Sequence, residues 1–283
     1  MTSQKFGGLW SLLKLKILGD YLTAYCTALS GKFHILYIDA FAGSGEFSIR
    51  EFSAAPLFDE EESIRVVEGS ARLALDCTPS FDHLYFIEMK RRNVQALEAL
   101  ASEYTSQKID VLRGDANEKV IDICKGTNWK NTRGVIFLDP YGNSVEWETL
   151  ARISQTKALD VWYLFPLFGV YRQAPNSLSK MTDDKRQSIT KILGTDEWEN
   201  HFYEPIFDQN DLFGESNDNN RRTANTHGIL SYVEKRLETL FPYVAPPKVL
   251  LGPNNAPLYA LFLTVSNNSE KAKALAKRIS RNL

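Results

Sequence analysis

Two rhythms of apolar and polar residues run along the first two-thirds of the chain. Short, largely apolar runs at 35–40 (ILYIDA), 83–88 (HLYFIE), 109–113 (IDVLR), 134–139 (GVIFLD) and 159–165 (LDVWYLF) have the length and composition of buried strands. Between them, 69–77, 90–103, 116–125 and 145–155 read as helices. In 90–103 the apolar positions Val94, Leu97 and Leu100 recur at helical spacing. Strand followed by helix, repeated, predicts an α/β protein with a mostly parallel sheet covered on both faces. Ahead of this run, Leu9, Leu12, Leu13, Leu15, Ile17, Leu18 and Leu22 predict an amphipathic first helix.

Beyond residue 165 the rhythm breaks. Residues 166–246 carry Pro166, Pro175 and Pro205, a polar run at 214–225 (GESNDNNRRTAN) that reads as a loop, and a clear helix at 228–240. Residues 247–251 and 258–265 then read as two strands joined by GPNNAP, predicting an antiparallel hairpin, and a last helix at 268–281 closes the chain. The expected organisation is a Rossmann-like core made of 1–165 and 247–283. Residues 46–68 form an inserted lid-like loop, and 166–246 a helical and irregular insertion that serves as a substrate or partner module.

Composition adds little and excludes little. The 283 residues are 43% hydrophobic and 24% charged, with a formal net charge of -2, so no strong global field draws the chain to nucleic acid or membrane. No apolar run reaches the ~18–20 residues that span a bilayer. Three cysteines, Cys26, Cys77 and Cys124, lie far apart in sequence without a CxxC pair, and read as small buried hydrophobes reduced in the cytoplasm. His34, His83, His201 and His227 have no metal-ligand spacing, and no metal site is expected.

The chemistry gathers where strands end. Asp39-Ala-Phe41-Ala-Gly43-Ser-Gly45 follows the first strand, and its glycines allow a tight turn and close backbone approach to a ligand. The dinucleotide fingerprint needs a third glycine, which is missing, and an acid before the loop suits a cationic ligand better than a pyrophosphate. S-adenosyl-L-methionine, with its ammonium and sulfonium, is such a ligand. Glu88 ends the second strand, where two carboxylate oxygens match two vicinal ribose hydroxyls. The gap from glycine loop to this acid is about twice the usual ~20 residues, and 46–68 accounts for the excess. Asp115 and Ala116 follow the third strand at the adenine position, where Asp115 is equally placed to cap the next helix. Asp139-Pro140-Tyr141-Gly142 ends the fourth strand; it supplies acceptors for an amino group and a flat face for stacking.

These motifs carry a family resemblance. DAFAGSG resembles the D/E-x-F-x-G-x-G loop of amino-directed DNA and RNA methyltransferases, and LDPYG resembles their D/N-P-P-Y/F motif with one proline missing. The ordered set more closely resembles the three-Cys-motif partner protein family: an N-terminal helix with Lys14, IDAFAGSG, a delayed EGSARLAL, YFIE, GDAN, FLDPYG, VEWETL, DVWYLF and YALFLTVSN. The resemblance spans residues ~10 to 275 and implies a methyltransferase fold in which Asp39, Phe41, Gly43, Gly45, Glu88, Asp115 and Ala116 line the S-adenosyl-L-methionine site and Asp139, Pro140 and Tyr141 the reaction site. It also implies a three-Cys-motif protein as partner. The sequence departs from many members at Gly69-Ser70-Ala71, where they have GSP.

Two functions follow as expectations. One is methyl transfer to an amino nitrogen, with nucleic acid as the candidate substrate. The other is a methyltransferase-like binding partner, without transfer activity, in a multi-protein modification or defence system. Candidate phosphate contacts are Lys90, Arg91, Arg92, Arg221, Arg222 and the cluster Lys271, Lys273, Lys277 and Arg278, though such clusters are more often solvated helix faces or loops. Oligomeric state has no signal in the sequence.

Overall fold

The computed structural model describes residues 4–5, 9–52, 62–205 and 220–281. The elements follow in chain order: β1 Gln4–Lys5, α1 Leu9–Leu29, β2 His34–Asp39, β3 Glu46–Phe52, β4 Glu62–Glu68, α2 Ser70–Leu75, β5 His83–Glu88, α3 Arg91–Ala101, β6 Lys108–Arg113, α4 Ala116–Gly126, β7 Thr132–Leu138, α5 Trp147–Gln155 and β8 Leu159–Phe165. There follow α6 Leu167–Gln173, α7 Asp183–Leu193, α8 Trp198–Phe202, β9 Tyr203–Pro205, β10 Asn220–Arg222, α9 Thr226–Glu238, β11 Tyr243–Val244, β12 Lys248–Leu251, β13 Pro257–Val265 and α10 Glu270–Ser280.

The central sheet has the order β11-β13-β8-β7-β2-β5-β6, with β12 also paired to β13. β6, β5, β2, β7 and β8 run parallel, and β13 is antiparallel to β8. The expected terminal hairpin is present: β12 and β13 pair antiparallel, with an irregularity at Leu250/Leu251. This is a Rossmann-like α/β fold. The chain leaves β2 toward β5 and β6 on one side and returns to β7 and β8 on the other, so the strand order switches beside β2. In such sheets the ligand crevice opens at the carboxyl end of the strands at the switch.

Side-chain alternation splits the core in two. Ile38, Ile136, Val161 and Tyr163 face one layer, which is covered by α4–α9. Tyr37, Val135, Phe137 and Trp162 face the other, which is covered by α1, α2, α3 and α10. All seven residues of β8 are buried, as a strand covered on both faces requires. The described residues of 166–246 therefore supply much of one covering layer, and they hold three helices, α6, α7 and α8, that the irregular spacing of their apolar residues did not predict.

Three further expectations need correction or refinement. Residues 46–68, expected as an inserted lid-like loop, contain regular structure: β3 and β4 form an antiparallel hairpin from Glu46↔Glu68 to Phe52↔Glu62, and β1 adds to β3 in parallel. Its charged residues mask a strand alternation, and 53–61 lie outside the described residues. Within the polar run, Asn220–Arg222 pairs with Tyr203–Pro205 as a short ladder; 214–219 lie outside the described residues. Cys26 and Cys77, distant in sequence, meet between α1 and the end of α2, where their thiols hydrogen-bond and burial adds to raise the Cys26 thiol. No helix among the described residues is long and apolar enough to cross a membrane.

Helix α1 is anchored at both ends of the sheet. Its exposed positions, Leu13, Lys16, Asp20, Thr23 and Thr27, form one stripe, while Lys14, Leu18, Tyr21, Leu22 and Tyr25 turn inward. At the carboxyl end Lys14 Nζ pairs with Asp139. Two turns later, the Tyr21 hydroxyl donates to Asp160 Oδ2 at 2.7 Å.

Candidate active site at the carboxyl edge

The register of the sheet brings the predicted acids to one edge. Asp39 lies opposite Phe86 and Phe137 in the neighbouring strands, so Glu88 and Asp139 each stand two residues further along the same edge. Asp115 follows the adjoining strand β6.

Asp39 is fully buried. Its Oδ1 accepts from the Phe41 amide at 3.3 Å and its Oδ2 from the Tyr37 hydroxyl at 3.3 Å, and Ser70 also hydrogen-bonds to it. Burial pushes its pKa up to about 7; the Ser70 hydrogen bond opposes this and the nearby charge of Asp139 adds to it. A carboxyl in that state has lost most of its hydration, and a cation beside it restores the ionised form.

The glycine loop turns through left-handed backbone at Gly43 (φ +63°) and Gly45 (φ +81°). The positive φ of Gly45 favours glycine whatever the space, and a Cβ there would also sit 2.8 Å from Leu100 Cδ2 of α3. The Gly69 amide donates to the Gly45 carbonyl at 2.8 Å. The β3–β4 hairpin thus leaves and rejoins the loop at a single pinch, and Ser70 is returned to the side of Asp39.

Glu88 is held in place by its own neighbours. The Lys90 amide donates to Oε1 at 2.7 Å and Asn93 Nδ2 to Oε2 at 3.1 Å. Each carboxylate oxygen can accept more than one hydrogen bond, so both retain capacity for a ligand hydroxyl. Asp115 is the N-cap of α4: Oδ1 accepts from the Asn117 amide at 2.9 Å and the Glu118 amide at 3.2 Å. Ala116 is buried in the same turn.

At Asp139 the structure differs from the simplest expectation of an open acceptor. Its Oδ2 is bonded to Lys14 Nζ, with side chains 28% and 9% exposed, so the lysine is the more deeply enclosed partner. Lys14 lies 5.5 Å from the centroid of Trp10 and 5.7 Å from that of Phe137, and Trp10 packs on Tyr259 at 4.7 Å between centroids. Burial raises the Tyr259 hydroxyl, with Asp139 and Tyr141 adding.

The loop after Asp139 is tied on both sides. Asn117 Nδ2 donates to the Ser144 carbonyl at 2.9 Å, and its Oδ1 accepts from the Glu146 amide at 3.0 Å and Thr149 Oγ1 at 2.8 Å. Asn143 Nδ2 donates to Gln173 Oε1 and Ser188 Oγ at 2.9 and 3.2 Å, which joins the loop to α6 and α7. Sequence reasoning gave no role to Trp10, Asn117, Asn143 or Tyr259, although Asn117 lies in GDAN and Tyr259 opens YALFLTVSN. Lys14 did carry a signal, a lone charge on the apolar stripe of a helix.

The large hydrophobic side chains exposed among the described residues are Leu13, Met89, Tyr141 and Leu251. All four belong to this end of the molecule: beside Lys14, beside Glu88, after Asp139-Pro140, and at the end of β12 opposite Pro257. Converging acids beside the exposed Tyr141 ring suit a ligand that is cationic or hydroxylated in one part and flat in another.

Comparison with known proteins agrees at the level of fold. No family model matches the chain, and no curated protein does. Among solved structures, a protein from Legionella pneumophila str. Philadelphia 1, of family model DUF519, aligns over 98% of this chain and 91% of its own at 13% identity and a TM-score of 0.55. The N-terminal domain of EvdMO1 with SAH bound aligns over 88% and 80% at 10% identity, with a TM-score of 0.38. Spermidine synthase from Thermotoga maritima aligns over 94% and 62% at 9% identity, with a TM-score of 0.41. The last two superpose too loosely to bear on function.

Proposed function

We propose that this chain is an S-adenosyl-L-methionine-dependent methyltransferase acting on a nitrogen acceptor, with nucleic acid as the substrate class. The observation that carries the reading is the convergence of Asp39, Glu88 and Asp139 at the switch point of the sheet beside a glycine loop.

The chemistry of these groups fits the cofactor. Asp39, with Phe41, Gly43 and Gly45, would hold its cationic amino-acid end; Glu88 the ribose hydroxyls; and Asp115 with Ala116 the adenine. Bound there, S-adenosyl-L-methionine supplies an electrophilic methyl. The protein's part is positioning, which can supply much of the rate of an in-line transfer. Asp139 accepts a hydrogen bond from the acceptor amine and orients its lone pair, and Tyr141 offers the ring on which a flat acceptor stacks. Lys14 competes with that amine for Asp139, so acceptor binding entails displacing an ammonium from the carboxylate.

That competition also favours a second reading. A chain whose acceptor carboxylate is already paired can serve as a methyltransferase-like partner, for which the resemblance nominates a three-Cys-motif protein. The deciding experiment is calorimetric titration with S-adenosyl-L-methionine and S-adenosylhomocysteine, followed by transfer of labelled methyl to RNA and DNA. Binding lost in Glu88→Ala together with label transfer supports the enzyme. Absence of binding by folded protein overturns it, and binding with no transfer to any acceptor supports the partner reading.

A further inference from the structure

A second cleft opens at the opposite, amino edge of the sheet. It has a volume of about 890 Å³ and lies between the end of α1 and helix α10, across the starts of β7 and β8. Its walls include Tyr25, Leu29, Phe33 and Leu275, and four cations, Lys32, Arg133, Lys271 and Arg278, stand around it. We propose that this cleft binds a small amphipathic anion, a carboxylate or phosphate monoester carried on an apolar body.

Three observations carry the proposal. The first is charge: among the described residues none of the four cations is in an ion pair, although the chain as a whole is slightly acidic. Four like charges around one depression repel one another, and a bound anion relieves all four.

The second is preorganisation. Arg133 Nη1 donates to the carbonyls of Trp129 and Thr132 at 3.1 and 2.6 Å, and the guanidinium lies 4.5 Å from the centroid of Phe33. The fork is therefore fixed before a ligand arrives, which spares the cost of ordering it on binding.

The third is size and lining. The volume lies within the range of small-molecule sites, roughly 300–1,000 Å³. An inorganic anion would leave most of the aromatic and aliphatic wall uncovered, so the fitting ligand brings an apolar part. Asp160 also lines the cleft, its Oδ2 held by Tyr21; burial pushes its pKa up to about 7 against the Tyr21 hydrogen bond and the charge of Arg133, so near neutral pH it opposes an anion less than a fully ionised acid would. The site stands at the far edge from Glu88 and Asp139 and does not depend on the methyl-transfer reading.

The test is fluorescence titration of the full chain with 1-anilinonaphthalene-8-sulfonate, followed by displacement with decanoate and with inorganic phosphate. The expected result is one saturable site, displaced by decanoate and not by equimolar phosphate. Arg278→Glu and Arg133→Gln should each weaken it about tenfold, the size of one charge-assisted hydrogen bond. Glu88→Gln should leave it unchanged. Arg278 is exposed, so its variant stays informative even if Arg133→Gln disturbs the fold, and thermal melts verify that it folds. Sedimentation with phosphatidylglycerol vesicles, lost in Arg278→Glu, would place the same chemistry on a lipid; decanoate displacement without sedimentation would place it on a free metabolite. No saturable uptake, uptake unchanged in Arg278→Glu, or displacement by an oligonucleotide in preference to decanoate would each overturn the proposal.

Discussion

Lys14, in the second turn of the first helix, forms an ion pair with Asp139, 125 residues away at the carboxyl end of β7. The pair is asymmetric, since Asp139 reaches solvent more than Lys14 does. Removing the acid leaves an enclosed ammonium without its carboxylate; removing the amine leaves a carboxylate that water can reach. We expect Asp139→Ala to approach the ~3–5 kcal/mol of a broken buried pair, and Lys14→Met to cost less, about 1–2 kcal/mol. Urea unfolding of both variants checks the order, and equal losses would contradict the asymmetry.

The same pair gives an opposite expectation for ligand binding. Lys14→Met removes the competitor for Asp139, so acceptor affinity should rise while S-adenosyl-L-methionine affinity stays level. Direct binding of an acceptor found in the transfer screen reads this out. Loss of acceptor binding would instead make Lys14 part of the acceptor site.

Two buried acids, Asp39 and Asp160, have pKa values pushed up to about 7 by burial. In the unfolded chain both lie near the ordinary ~3.9. Between roughly pH 4 and pH 7 the native state holds protons that the unfolded state has released, so stability falls as pH rises, by up to ~1.4 kcal/mol per pH unit for each group. Below the unfolded value the contribution is fully present, and above the folded value it is gone. Asp160→Asn should flatten part of this slope in denaturant titrations at pH 5 and pH 7.5; an unchanged slope would remove Asp160 from the account.

Cofactor binding should move with pH in the other sense. A cationic ligand beside Asp39 favours its ionised form, so affinity rises through about pH 7 and then levels. Calorimetry between pH 6 and pH 8 should show proton release on binding, absent in Asp39→Asn. Glu88→Ala should weaken binding by ~1–3 kcal/mol at every pH, the loss of hydrogen bonds to a charged group.

Asn117 is buried and bonds Ser144 and Glu146 of the loop that follows Tyr141 and Thr149 in the first turn of α5. Asn117→Ala leaves those groups without a partner, and should cost ~1–3 kcal/mol of stability. If the loop positions the acceptor, kcat falls while S-adenosyl-L-methionine affinity is kept. A variant with full stability would show that water replaces the side chain.

Local pattern made much of this molecule legible. Strand-length apolar runs and helical spacing follow from whether one face or two must be buried, so ILYID, HLYFIE and LDVWYLF lay close to their final bounds. The acids at strand ends were legible too, because parallel strands necessarily bring their carboxyl ends to one edge. What the sequence left open was every partnership formed across distance. The charged β3–β4 hairpin, the juxtaposed Cys26 and Cys77, the Asn117 and Asn143 ties, and the cationic cleft at the amino edge all join segments that share no local signal. In the sequence Lys14 simply interrupts the apolar positions of the first helix. Only the packing of α1 across the sheet, which sets Lys14 against Asp139 and Tyr21 against Asp160, gave the interruption a partner, because a buried charge is tolerated only where the tertiary structure pairs it.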